Sequence, residues 1–209
     1  SVLLDWANYA SGHKWYGQFL NIQGRYDEAL TEIRRAQELE PLSLIISSNM
    51  AEIYLARGES DAAVEQCKRA LDLDSNWYVA HQMLALSYVK QGRNAEALAE
   101  AEKSVELSNH LSVPLSTLGF VLAQTGKRSE ALEIAEELKT RFTKGQATGF
   151  TIAWPYVGLN EKDETFRWLE KDLENREPVM PEWLALYPLI RLRDDPRYAG
   201  LLKRMGLPE

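Results

Sequence analysis

The sequence predicts an all-α solenoid of helical hairpins, and three observations predict it. Glycine recurs at steps of 34 residues as Gly24, Gly58, Gly92 and Gly126, and Asn160 holds the fifth position. Small residues fill two further columns in the same register. One is Gly17, Ala51, Ala85, Gly119 and Ala153; the other is Ala29, Ala63, Ala97 and Ala131, with Thr165 fifth. Between these columns the apolar residues fall three and four apart, as in Trp15, Tyr16, Phe19 and Leu20, then Ala29, Leu30, Ile33 and Ala36. That spacing is one face of a helix. Self-similarity at a fixed period of this size marks a repeat architecture.

Each column has a physical reason. The glycine column lies between two predicted helices, where a residue just past a helix end takes a left-handed backbone that Gly adopts without penalty. Asn160 is the next best residue there. The small columns let two helix axes approach closely. Pro41 stands where the second helix of the first unit must stop. The repeat places units at residues 10–43, 44–77, 78–111, 112–145 and 146–179, which gives ten helices in five antiparallel pairs. Residues 1–9 read as the tail of a preceding repeat. Residues 180–209 depart from the pattern and read as a C-terminal cap. In the cap, Asp195-Pro196 provides a helix start and Tyr198 to Met205 a short amphipathic helix. A solenoid needs such a cap, because its last unit has no neighbour to cover its apolar face.

Composition narrows the function. The chain has 209 residues, 45% of them apolar, which suffices for a sizeable core. A net charge of −7 argues against nucleic acid or an anionic membrane as partner, since both need a basic patch. Cys67 is the single cysteine, so no intramolecular disulfide can form. No apolar run reaches the roughly 18 to 20 residues needed to span a bilayer. The N-terminus, SVLLDWANYA, reads as a cut end rather than a signal peptide. A cytoplasmic location is the expectation.

Nothing in the sequence has the pattern of a catalytic site. His13, His81 and His110 have no cysteine or carboxylate at metal-ligand spacing. Cys67 shares a column with Ile33, Ala101, Ala135 and Leu169, which makes it a core thiol rather than a nucleophile. There is no phosphate loop or nucleophile elbow. The charge clusters EKDE and EKDLENRE read as solvated helix faces. The expectation is a non-enzyme without cofactor or metal.

The stretches WYGQFLNIQGRYDEALTEIRRAQELEP and MLALSYVKQGRNAEALAEAEKSVEL resemble the tetratricopeptide repeat, whose period is also 34 residues. The resemblance covers roughly residues 10 to 178. It implies a right-handed solenoid of five hairpins whose first helices line a concave groove. The tail RDDPRYAGLLKRMGLP resembles the end of repeat arrays in bacterial multidomain regulators, where the array follows a winged-helix, kinase or cyclase domain.

The resemblance points to protein binding. The groove residues expected at helical spacing are Lys14, Gln18, Asn49, Glu52, Gln82, Leu86, Phe120, Phe150 and Trp154. They run from polar at the N-terminal end to apolar and aromatic at the other. Some members of the family hold a peptide's terminal carboxylate with two Lys, two Asn and an Arg. Here Lys14 and Asn49 match, Gln18 stands for an Asn, and Val79 and Met83 replace the other cations, which leaves too little positive charge. The row Leu86, Phe120, Phe150 and Trp154 is expected to take the apolar side of a peptide, or else to be filled in by the chain itself as core. Pro155 removes a hydrogen bond inside its helix, and a kink there would reshape the groove or ease packing on the cap. The leading expectation is a scaffold for a protein or peptide in the groove, without direct contact to nucleic acid or membrane. The alternatives are an intramolecular regulatory domain of a larger bacterial regulator and a homo-oligomerisation module such as a homodimer.

Overall fold

A computed structural model describes residues 9–174, 189 and 191–204. Among these residues the protein is helical and contains no strand. Five hairpins follow one another: α1 (Ala10–Ile22) with α2 (Tyr26–Leu39), α3 (Leu44–Arg57) with α4 (Ser60–Leu73), and α5 (Tyr78–Lys90) with α6 (Asn94–Leu107). Then come α7 (Ser112–Gln124) with α8 (Arg128–Phe142), and α9 (Gly149–Gly158) with α10 (Lys162–Glu174). A last helix, α11 (Pro196–Arg204), covers the C-terminal end.

The turns explain the regularity. Gly24, Gly58, Gly92 and Gly126 have φ of 73°, 100°, 72° and 85°, and Asn160 has 59°. This left-handed residue lets the chain reverse while the helix end keeps its hydrogen bonds. The amide after each one returns to the carbonyl five residues back: Arg25 to Leu20, Glu59 to Tyr54, Arg93 to Tyr88, Lys127 to Leu122 and Glu161 to Tyr156, all at 2.8–2.9 Å. One backbone motif therefore ends the first helix of every hairpin.

Within each hairpin the small columns are fully enclosed. Ala29, Ala63, Ala97, Ala131 and Thr165 are all buried, as are Ala51, Ala85 and Ala153 opposite them. A Cβ on Gly17 would stand 3.2 Å from the Ala29 carbonyl oxygen, a measure of how near the paired axes lie. Cys67 is buried in its column, and burial pushes its thiol up to about 12.

The fifth unit departs from the others. Its second helix starts in register at Lys162, but α9 starts late, at Gly149. The Asp172 carboxylate, buried on α10, accepts the Gly149 and Phe150 amides at 2.5 and 2.6 Å, and Thr148 closes a capping box with Thr151. A side chain at Gly149 would collide with the Trp168 carbonyl. Pro155 sits within α9 and packs against α7: a Cβ on Gly119 would lie 2.6 Å from its Cγ.

The cap is anchored from several sides. Leu189, Leu192, Tyr198 and Leu201 join the main core. Arg197 donates to Asp163 at 2.8 Å and to Asp195 at 2.9 Å. The hydrogen-bonded Arg197 guanidinium holds the Asp195 carboxyl at about 2, well below the usual carboxylate range. Arg193 reaches the first unit, donating to the Tyr26 hydroxyl at 2.9 Å. The helix expected from Tyr198 to Met205 starts two residues earlier, at Pro196, and Met205 lies outside the described residues, as do 1–8 and 175–188.

The turn geometry yields a prediction. Gly92→Val places a β-branched residue at positive φ and should cost about 1–2 kcal/mol. Gln91→Ala, one residue earlier and outside the strained position, should stay within about 0.5 kcal/mol. Thermal unfolding of both variants checks this, and equal melting temperatures would contradict the assigned role of Gly92.

Candidate functional site: the concave groove

The first helices of the hairpins enclose a cavity of about 780 Å³. Every unit contributes to its wall: Lys14 and Gln18 from α1, Asn49 and Glu52 from α3, and Tyr78, Val79, Gln82 and Met83 from α5. Ser112, Val113 and Pro114 come from α7, Thr151 from α9, and Gln146 and Ala147 from the turn before α9. The columns match from unit to unit. Ile45, Val79, Val113 and Ala147 form an apolar row near the helix starts, and Trp15, Asn49, Met83 and Thr151 form the row one turn further on.

Five of the expected groove residues, Lys14, Gln18, Asn49, Glu52 and Gln82, line this cavity. All five positions of the carboxylate-holding pattern, 14, 18, 49, 79 and 83, line it too. Convergence is therefore a property of the backbone, while the charge is not preserved: Lys14 is the only cation in the wall among the described residues.

Leu86, Phe120, Phe150 and Trp154 lie elsewhere. All four are 0% exposed, so the expected open apolar end of the groove is corrected: these side chains are core. The rings pack edge to face, Phe120 on Trp154 at 6.4 Å and Phe150 on Trp154 at 5.6 Å. For Phe120, Phe150 and Trp154 the close approach of α7 and α9 contributes to this burial. A Cβ on Gly158 would stand 2.7 Å from that of Ala123, and Pro155 fills the notch at Gly119. With so little space between these two helices, the column that begins with Gln18 and Glu52 turns into the helix interface at Phe120 and Trp154, and it is already buried at Leu86.

The polar members of those columns also serve the helix contacts. Asn21 donates to Glu52 at 3.1 Å, Gln82 to Thr117 at 2.7 Å, and the Trp77 indole to Ser48 at 2.9 Å. Residues missed from the sequence, Ile45, Tyr78, Val113 and Gln146, sit at or before the starts of the first helices. Ile45 and Val113 carried a signal, the apolar row at 34-residue steps, which passes for core in a periodicity count, whereas the column of Tyr78 and Gln146 is mixed.

The remaining polar clusters are structural. His13 Nδ1 lies 2.6 Å from Glu32, and His81 Nδ1 lies 2.5 Å from Glu100. Each pair ties the two helices of one hairpin, two units apart. Among the described residues, no group of His, Cys, Asp and Glu is arranged to hold a metal ion. No helix there is long and apolar enough to cross a membrane.

Comparison with known proteins agrees with this architecture. Tetratricopeptide-repeat sequence profiles match residues 14–76 and 78–110. The thermophilic tetratricopeptide protein TTC0263 of Thermus thermophilus superposes with a TM-score of 0.64 at 22% identity, over 93% of this chain and all of that one. Yeast Tom70 matches with a TM-score of 0.57 at 20% identity, over 96% of this chain, which spans 44% of Tom70. At these identities the likeness shows the fold alone. No curated protein matches the sequence. The fold is thus a tetratricopeptide-type solenoid, a scaffold that generally mediates protein–protein interaction.

The burial of Trp154 sets a stability prediction. Trp154→Ala should cost about 3–5 kcal/mol, because it empties a fully packed site. Lys14→Ala, at the edge of the groove, should stay within about 0.5 kcal/mol. Urea unfolding checks both, and a Trp154→Ala variant as stable as the parent would show that the indole is not core.

Proposed function

We propose that the protein is a binding scaffold that holds a polypeptide segment of a partner in its concave groove. The observation that carries this reading is the cavity to which all five hairpins contribute wall residues. A groove of this length, with apolar rows beside polar groups, suits peptide recognition, in which side-chain pockets and placed hydrogen-bonding groups act together. The tested change is Val79→Arg, a large charged group on the apolar row of α5. An interaction partner captured by the parent chain should be lost by at least about tenfold in affinity, with the melting temperature unchanged. Retention of the partner at full affinity would place binding outside the groove.

A second reading rests on a different surface. Tyr9, Trp15, Tyr16 and Phe19 are exposed along α1, and Tyr16 stacks on Phe19 at 6.4 Å. In the later units the Tyr16 column is held by Met50, Leu84 and Ile152, which are buried, and by Leu118, which is half-buried. Contiguous apolar surface of this kind marks interaction sites, and self-association through α1 is the simplest use. Sedimentation of the parent and of Phe19→Glu tests it. A concentration-dependent dimer that Phe19→Glu abolishes supports the reading, and a monomer at all concentrations contradicts it.

A further inference from the structure

The C-terminal cap touches both ends of the array, and the two attachments differ in kind. Toward the last hairpins it is packed. Leu192, Tyr198 and Leu201 belong to the same apolar core as Phe120, Trp154 and Phe166. Arg197 lies over the Phe166 ring at 4.2 Å and donates to Asp163 at 2.8 Å, and Arg191 donates to Gln124 at 3.0 Å. Buried apolar contact joined to charge-assisted hydrogen bonds fixes the cap at this end.

Toward the first hairpin the attachment is polar. Arg193, itself exposed, donates to the Tyr26 hydroxyl at 2.9 Å. Its Nη1 lies over the left-handed turn, 3.4 Å from where a Cβ on Gly24 would stand. Beside this contact is a cavity of about 520 Å³, lined by Ile22, Gln23 and Arg25 of the first hairpin and by Tyr198, Ala199 and Leu202 of the cap. Leu20, Leu30 and Ile33 of the first hairpin form a separate core, to which no cap residue belongs among those described. A joint made of an exposed hydrogen bond beside unfilled space opens before a packed one does.

The position of this joint gives it leverage. In a solenoid each hairpin packs on its neighbours, so the distance between the two ends is set by a series of interfaces, each of which can bend slightly. The Arg193 bond joins residues 167 apart in sequence and closes a loop through all five hairpins. The concave cavity draws its wall from the same distant parts of the array, with Lys14 and Trp15 on α1, Phe142 at the end of α8 and Gln146 in the turn that follows.

We infer that residues 191–204 act as a strap across the array. With Arg193 on Tyr26, the first and last hairpins are held together and the concave cavity is narrow. With that joint open, the array extends and the cavity widens, a hinge motion spread over several interfaces. Release requires no hairpin to unfold, because the cap remains in the core of the later hairpins. The change of shape does not depend on what the cavity binds.

Spin labels on Thr31→Cys in α2 and Arg167→Cys in α10, placed together in the full chain, read the separation of the two ends. Both positions are exposed, and the buried Cys67 stays unlabelled. The parent should give one narrow distribution of distances. Arg193→Ala should lengthen the mean and broaden the spread, and Tyr26→Phe, which removes a single hydroxyl, should move both in the same direction. Lys203→Ala, exposed on α11, should leave the distribution as it is. The radius of gyration in solution scattering should rise with the label distance, while helix content stays at the parent's value. A parent distribution already as broad as that of Arg193→Ala, or one that neither Arg193→Ala nor Tyr26→Phe moves, would overturn the strap. So would a lengthening accompanied by loss of helix content, since the ends would then part by unfolding rather than by release of the joint.

Discussion

The close approach of two helices at a column without bulk, followed by a reversal that only a left-handed residue permits, underlies everything else in this molecule. Ala29, Ala63, Ala97, Ala131 and Thr165 are enclosed because the facing column is equally small. A larger side chain in either column would separate the pair, and the next hairpin would lose the surface it packs on. The left-handed turn fixes the reversal, and the amide beyond it returns to the same carbonyl position in all five hairpins. Repetition of one tight unit aligns five first helices along one side, so the groove follows from the packing rule rather than from any residue that faces it.

The same rule, pushed further, closes part of that side. Between α7 and α9 the small positions are Gly119, Ala123 and Gly158, with Pro155 seated among them. Here the first helices touch each other, not only their hairpin partners, and Phe120, Phe150 and Trp154 become interior. The late start of α9 is stabilised by Asp172, whose carboxylate takes two amides that no carbonyl satisfies. The positive end of the helix favours that negative charge.

Most of the fold was legible in the sequence. The turn series, down to Asn160, and the small columns were readable because Gly, Asn and Ala at a fixed period have few other meanings. The core placement of Cys67 followed from its column. The site was less legible. Lys14, Gln18, Asn49, Glu52 and Gln82 line the cavity, whereas Trp154 and its neighbours, assigned outward by extending a column from unit to unit, are buried. That extension assumes a constant distance between first helices. Gly119 and Gly158 break the assumption, and their effect depends on what packs across from them, which one column read alone does not reveal. Ile45 and Val113 were missed for the converse reason: an apolar residue at a helix start has the same sequence signature whether it faces core or groove.

The central claim is that the concave side, built by packing, is the surface that binds. Backbone amide chemical shifts of the isotope-labelled chain, followed during titration with a peptide selected on the parent protein, test it most directly. The account predicts that the perturbed amides cluster at Gln18, Asn49, Val79, Gln82 and Val113, on helices from four successive hairpins. Perturbation confined to the outer faces of α2, α4 and α6, with those residues unmoved, would contradict it.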